Sequence, residues 1–339
     1  MGLPQASLPR AYQGKPSERG VALLIVLLLI TVMSTVAYAV TDDIRFAIRR
    51  TANLRISSQM GWYAQGAEAL ARKAVWASWT ANPQRSTLAD PWARQGVVFP
   101  IDGGSIAGRI SDGGTCFNLN SVVERGAAGL FSESAAGRAQ FVALLTAVEL
   151  DRSQATALAG ALVDWIDGDG IASSAGGEDD SYGLRTVPYR TGGTLLAETS
   201  ELRAIAGYSE VIYQRLRPLV CALPTPGLTR LNINTIRADQ APLIMALMGG
   251  ALRVPEVERL IAGRPESGFA SVNDFLAADL FTGITLDPAA RDQFVQYTRY
   301  FQAETTVQFH TTSLVVNTLL EVDPSGRVTT HVRRLGGVD

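Results

Sequence analysis

The sequence predicts an α+β chain: one long N-terminal helix on a small antiparallel sheet, with a large helical domain inserted into that sheet. Three observations predict it. A helical pattern runs from residue 21 to about residue 80. Short β-prone runs separated by glycine turns precede residue 112 and return after residue 299. Between them lies an Ala- and Leu-rich stretch with helical spacing.

The long helix begins with Arg19-Gly20-Val21-Ala22-Leu23-Leu24, and no charged residue interrupts Gly20 to Thr41. A bilayer is crossed by roughly 20 apolar residues rising 1.5 Å each, so this window is long enough to span one. Three readings compete. A secretory signal would use Arg10, Lys15 and Arg19 as its basic region and Ala37-Tyr38-Ala39 as its cleavage site. A plain signal anchor would stay in the membrane. A type IV pilin-like leader would be cut between Gly20 and Val21, leaving the apolar helix at the new terminus. In each case the basic leader stays cytoplasmic and the rest of the chain is exported.

The continuation of the helix favours the third reading. Ile56, Met60, Tyr63, Ala67, Leu70 and Ala74 alternate in steps of four and three, one apolar stripe along a helix. Such a stripe suits packing on partner helices. Asn82-Pro83 stops it, because proline disfavours helix at the preceding residue. Beyond it, Val97 to Ile101 and Ser105 to Ser111 flank Asp102-Gly103-Gly104, a hairpin signature. Ala139 to Ile166, Ser200 to Leu219 and Ala238 to Ala262 read as helical. Thr305 to Phe309, Ser313 to Val322 and Val328 to Arg333 read as strands, with Pro324-Ser325-Gly326 as the last turn. Pairing these late strands with the early hairpin closes one sheet around the insertion.

The formal net charge is −2, and Lys15 and Lys73 are the only lysines. No basic block supports nucleic-acid binding. The only cysteines are Cys116 and Cys221. In an exported chain they point to a disulfide, two separate buried thiols being the alternative.

The strongest site candidate is Asp164-Trp165-Ile166-Asp167-Gly168-Asp169-Gly170, followed by Gly176-Gly177-Glu178-Asp179-Asp180. Carboxylates crowded on a glycine-rich loop repel each other, and calcium relieves this with six to eight oxygen ligands. Counted from Asp167, Asp169 and Glu178 fall at EF-hand positions 3 and 12, but Ile171 and Ala172 occupy 5 and 6. A standard EF-hand is therefore excluded, and a calcium loop of another geometry is expected. The alternative is a solvated loop whose Asp residues form turns and caps.

Leu231-Asn232-Ile233-Asn234-Thr235, Met248-Gly249-Gly250 and Phe269 to Leu276 resemble helix-hairpin-helix modules. Their arginines (230, 237, 253, 259, 264) are offset by Asp239, Glu256, Glu258, Glu266 and Asp274, so a structural or protein-binding role is expected. An enzyme is not expected. His310 and His331 are the only histidines, both fall in strand-like runs, and no nucleophile motif occurs.

Taken together, the Arg19-Gly20-Val21 start, the long helix, Phe117-Asn118-Leu119-Asn120, the acidic loop and Asn232-Ile233-Asn234-Thr235 resemble the minor pseudopilin K family of bacterial type II secretion. The resemblance implies a type IV pilin-like fold with a large inserted α-helical domain. It divides the chain into a leader (1–20) removed by prepilin peptidase, the helix (21–82), the sheet (83–125 and 299–339) and the insertion (126–298). It implies Gly20 as the cleavage residue and Val21 as the N-methylated terminus. It also implies bound calcium, with Asp167, Asp169, Glu178, Asp179 and Asp180 as candidate ligands. The implied location is the inner membrane, with the N-terminus cytoplasmic and the globular part in the periplasm. The implied partners are minor pseudopilins I, J and H, the major pseudopilin and the inner-membrane assembly platform. Related pilin-like proteins usually carry Glu at the fifth mature position, where this chain has Ile25. That residue and the bulky insertion imply a subunit that caps or initiates a filament tip. The alternative is a periplasmic calcium-binding or DNA-uptake protein, anchored or secreted.

Overall fold

The computed structural model describes residues 16–94, 96–126, 129–168, 170–173 and 176–336. The chain divides into two compact units, residues 1–61 and 62–339. Helix α1 runs Pro16–Ala81, uncapped by any break at the end of its apolar window. From Val21 to Val40 its apolar side chains are all exposed, which follows from a sequence greasy on every face. By length and composition this helix can cross a membrane.

In the second unit the last five turns of α1 lie on a five-stranded antiparallel sheet. The strands are β1 (Val97–Ile101), β2 (Gly104–Asp112), β9 (Tyr300–Phe309), β10 (Thr312–Val322) and β11 (Val328–Leu335), in the order β1-β2-β9-β10-β11. Six shorter strands, β3 to β8, fall between β2 and β9 in the chain. The expected hairpin turn at Asp102-Gly103 is present, with Ile101 opposite Gly104. The expected closure between early and late strands is also present, with β2 pairing β9 from Gly104↔Phe309 to Asp112↔Phe301. On one face Val75 of α1 packs with Trp92, Phe301, Ala303, Leu320, Val322 and Val328. Glu68 is buried there too, taking bonds from Arg333 Nε (2.7 Å) and Thr330 Oγ1 (2.8 Å) of β11. Burial pushes the Glu68 carboxyl up, but these bonds outweigh it and hold the carboxyl below its ordinary value.

The opposite face carries the insertion, which leaves the sheet at Asp112 and returns at Tyr300. This corrects the expected first boundary at residue 125. Phe117, Leu119, Val122 and Val123 are fully buried in the core of the insertion, not in the sheet. Strands as short as β3 and β4, of two and three residues, show no period-two alternation that would assign them to one core or the other.

Two halves make up the insertion. The first contains β3 (Phe117–Asn118), β4 (Val123–Arg125), β5 (Phe131–Glu133), α2 (Ala135–Ala147), α3 (Arg152–Ile166), α4 (Asp179–Gly183), α5 (Glu210–Leu216) and β6 (Val220–Cys221). The second contains β7 (Leu231–Asn232), α6 (Ala241–Leu247), α7 (Val254–Ala262), α8 (Val272–Leu276), α9 (Pro288–Arg291) and β8 (Phe294–Val295). Each half is closed by a parallel two-residue pairing of its first and last strands, β3 with β6 and β7 with β8. The expected helix from Ala139 to Ile166 is in fact α2 and α3. Glu149, with φ of 67°, ends one, and the Asp151 carboxylate caps the next by accepting from Ser153 and Gln154 N–H. Both halves share one apolar core, in which α2 packs against α6.

Candidate functional site

The acidic loop grows out of the C-terminal end of α3. Trp165 sits at the base of the loop, edge-on to Tyr182 at 5.3 Å, and Tyr182 lies 5.3 Å from Tyr189. The Tyr182 hydroxyl accepts from Ala206 N–H at 3.1 Å, which ties the base to the main chain there. One turn before the loop, Asp164 is 1 % exposed. Its Oδ2 accepts from Ser173 N–H (3.0 Å) and Ser173 Oγ (3.2 Å), folding the loop back onto its own helix. Gly176 passes so close that a Cβ there would lie 1.8 Å from that oxygen, so only glycine fits.

Asp167 ends α3 in extended conformation and is 6 % exposed. Glu178 is half-buried and precedes α4 as its N-cap residue. Asp179 is exposed, and its Oδ1 accepts from Thr191 N–H (2.9 Å) and Oγ1 (3.0 Å). Those bonds, the backbone one first, hold its carboxyl below the ordinary value. Arg190 approaches its other oxygen at 3.9 Å. Asp180 is exposed. Asp169 lies outside the described residues. Among the described residues, no three of Asp, Glu, His and Cys come together as a metal-holding group. The described candidates thus stay apart: Asp167 and Glu178 are the more buried of them, and Asp179 is committed to Thr191. Asp164 and Gly176, which belong to the sequence motif but not to its candidate ligands, and Ser173, which lies outside it, are the supporting residues. Asp164 stands one helical turn before Asp167, the spacing that could have marked it.

The two cysteines are bonded. Cys116 and Cys221, with Cα atoms 5.8 Å apart, staple the β3–β6 closure of the first half.

The apolar stripe of α1 is divided. Ile56 and Met60 belong to the first unit. In the second, Tyr63 lies 5.9 Å from Phe309 of β9, and Leu70 is exposed. Ala67 and Ala74 line a 420 Å³ groove whose floor includes Val97, Phe99 and Ile106 of the sheet edge. Gly20 and Val21 lie within α1.

The five arginines singled out in the helix-hairpin-helix-like segment all make internal bonds. Arg230 donates to the Tyr297 hydroxyl, Arg237 to Asp239, Arg253 to Glu256, Arg259 to the Pro255 carbonyl, and Arg264 to the Ile233 and Ile236 carbonyls.

Comparison with known proteins follows these divisions. Family profiles described as type II secretion system (T2SS), protein K, match residues 115–225 and 231–295, the two halves of the insertion. A curated relative, type II secretion system protein K of Aeromonas hydrophila, is 38% identical over 278 residues, covering 80% of this chain and 84% of that one. Another, of Pectobacterium carotovorum subsp. carotovorum, is 36% identical over 260 residues, covering 75% and 78%. The crystal structure of the GspK-GspI-GspJ complex from the enterotoxigenic Escherichia coli type 2 secretion system contains a similar chain. The TM-score is 0.74 at 28% identity, covering 85% of this chain and 99% of that chain.

Proposed function

Because the chain belongs to the type II secretion system protein K family, we propose that it caps or initiates the periplasmic pseudopilus as its tip subunit. It is a minor pseudopilin, and its neighbours in the assembly are minor pseudopilins I and J. The observation that carries this is the match, over nearly the whole length of the relative, to a chain crystallised in a GspK-GspI-GspJ complex.

The physical argument starts at α1. Its first half is apolar all round and anchors the subunit in the inner membrane, with the second unit in the periplasm. Cleavage between Gly20 and Val21 frees an amine at Val21 and makes Ile25 the fifth residue. A charge at that position would neutralise the terminal amine of a neighbour within lipid, where an unpaired charge is costly. Ile25 offers none, so no subunit sits above this one. The insertion supports the same place, since its bulk on one sheet face would obstruct packing within a filament. Leu70, with Trp62 and Trp76 also exposed, keeps part of α1 available to partner helices.

Calcium is part of the proposal. Asp167, Asp169 and Glu178 would hold it, and the ion would neutralise the loop and fix it against α3. Nothing in the tip role requires a chemical step by the ion.

Two measurements test the reading. Co-expressed with I and J of its own system, the full chain is expected to co-purify with both and to start at methylated Val21 by intact mass. A processed chain that binds neither partner, or a start at Val40, overturns it. For the ion, calcium is expected to raise Tm and EDTA to lower it. Asp167→Ala with Asp169→Ala should abolish the shift, and a wild-type protein indifferent to both additions removes calcium from the proposal.

A further inference from the structure

We propose that the Asp112 carboxylate is the joint that fixes the inserted domain in one orientation on the sheet. The joint itself does not depend on the tip reading; only its mechanical value does.

Asp112 is the last residue of β2, where the chain departs for the insertion, and it sits opposite Phe301 at the point of return. Its Oδ1 accepts from the N–H groups of Gly114 (2.7 Å) and Thr115 (3.0 Å), the outgoing turn. Its Oδ2 accepts from the hydroxyls of Thr235 (2.6 Å) and Thr298 (2.5 Å). Thr235 opens the second half of the insertion, and Thr298 lies on the strand of chain leading back into the sheet. One side chain thus gathers its own turn and two segments that lie 123 and 186 residues further along the chain.

The direction of every bond calls for a carboxylate. Thr298 Oγ1 already accepts from Asn232 Nδ2 at 3.0 Å, which turns its proton toward Asp112. Thr235 Oγ1 is 2.6 Å from Asp112 Oδ2 but 3.3 Å from the Asn232 carbonyl, so its proton goes to Asp112 and the Thr115 hydroxyl, 3.2 Å away, donates to Thr235. Thr115, Thr235 and Thr298 are all buried, so these bonds compete with little water. An amide at position 112 would turn an NH₂ group toward hydroxyls that are donating.

The same knot holds the exit of α1. Asn232 Nδ2 also donates to the Ser86 carbonyl (3.1 Å), Thr298 N–H to Ser86 Oγ (3.2 Å), and Ser86 N–H to the Gln296 carbonyl (2.7 Å). Helix exit, sheet exit, second half and sheet return are therefore linked through Asp112, Thr298 and Asn232. A tip subunit pushed from its helix and meeting resistance at its inserted domain would transmit that load through this point.

The test uses two isosteric changes, Asp112→Asn and the pair Thr235→Val with Thr298→Val, which keep side-chain volume. Spin labels at the exposed positions 313 and 251 measure sheet to insertion; labels at 154 and 251 measure within the insertion. Both variants are expected to broaden the 313–251 distance distribution and leave 154–251 sharp. The undocked population should rise about tenfold, the effect of losing roughly one bond to a charged group. Two sharp distributions in both variants, or two broadened ones, overturn the joint. Co-purification with I and J from the same samples, together with cargo secretion in cells, reports on the tip reading separately. Loss of secretion with an unbroadened 313–251 distance also overturns the joint, while retained partner binding leaves the tip reading standing.

Discussion

The two halves of the insertion are built by one plan and secured by different means. Each begins with an apolar-Asn-apolar-Asn-Ser/Thr segment, residues 117–121 and 231–235. In each, the first Asn turns the chain by accepting from the backbone N–H of the second, Asn118 from Asn120 and Asn232 from Asn234. The second Asn then grips both the N–H and the carbonyl of one distant residue. Asn120 does so with Leu196, and Asn234 with Phe269. The gripped segments match in turn, Leu196-Ala197-Glu198-Thr199-Ser200-Glu201-Leu202 against Phe269-Ala270-Ser271-Val272-Asn273-Asp274-Phe275. What differs is the loop between hairpin and grip. The second half spans it in a few residues braced by Arg264, whose guanidinium caps the Ile233 and Ile236 carbonyls. The first half carries the long acidic loop there, and a disulfide across its closure. A short loop with a built-in cation needs no staple. A long loop with more carboxylates than arginines has more chain entropy to overcome and a net negative charge to balance.

Removing the staple is expected to have the largest effect. The Cys116–Cys221 bridge closes a loop of 105 residues. On the chain-entropy account such a bridge contributes about 4–5 kcal/mol, so Cys116→Ala with Cys221→Ala should lower Tm strongly. Hydrogen exchange should rise first at β3 and β6 while β7 and β8 stay protected. Equal loss of protection in both halves would mean that their common core makes them a single cooperative unit, and the contrast would then be one of architecture and not of stability.

The Asn grips come next and test the likeness itself. Asn120 and Asn234 are both completely buried. Replacing Asn120 with Ala strands the buried N–H and carbonyl of Leu196, at a cost of about 2–4 kcal/mol. Replacing Asn234 strands the Phe269 N–H but not its carbonyl, which also accepts from Gln296 Nε2 at 3.0 Å, so a smaller loss of about 1–3 kcal/mol by denaturant titration supports an equivalent role. A loss confined to Asn120→Ala would show the second grip, whose Nδ2 bond is longer at 3.3 Å, to be dispensable.

How much of this could be read from the sequence depends on how local the signal is. The early hairpin, the late strands, the long helix and the cysteine pair were legible, because each rests on periodicity, turn residues or a count. The Asn-x-Asn segments stand out as motifs, but their shared use does not, since the residues they grip lie 76 and 35 positions away. The acidic loop was legible as a cluster, yet its sorting was not. Nothing local in the sequence says that Thr191 engages Asp179 or that Ser173 bends the chain over Asp164. Asp112 gave no signal at all. It reads as a turn residue before Gly113-Gly114, and its partners are assembled only by the fold.

The smallest expected effect separates the two halves at a single backbone position. Helices α2 and α6 end with the same hydrogen bonds. Val148 and Met248 N–H reach the Leu144 and Ile244 carbonyls, and Leu150 and Gly250 N–H reach those of Leu145 and Met245. Between them stands a left-handed residue, Glu149 with φ of 67° in the first half and Gly249 with φ of 63° in the second. An L side chain there costs about 1–2 kcal/mol, partly offset by the greater entropy of glycine in the unfolded chain. Glu149 is exposed, so its side chain has little packing to lose. Glu149→Gly should therefore raise stability by about 0.5–1 kcal/mol, and Gly249→Ala should lower it by a similar amount. Opposite signs in chemical denaturation would establish that the two turns are one structure, optimised only in the second half. Destabilisation by both changes would mean that Glu149 does work at the surface of the first half that its exposure does not reveal, and would point to a partner there.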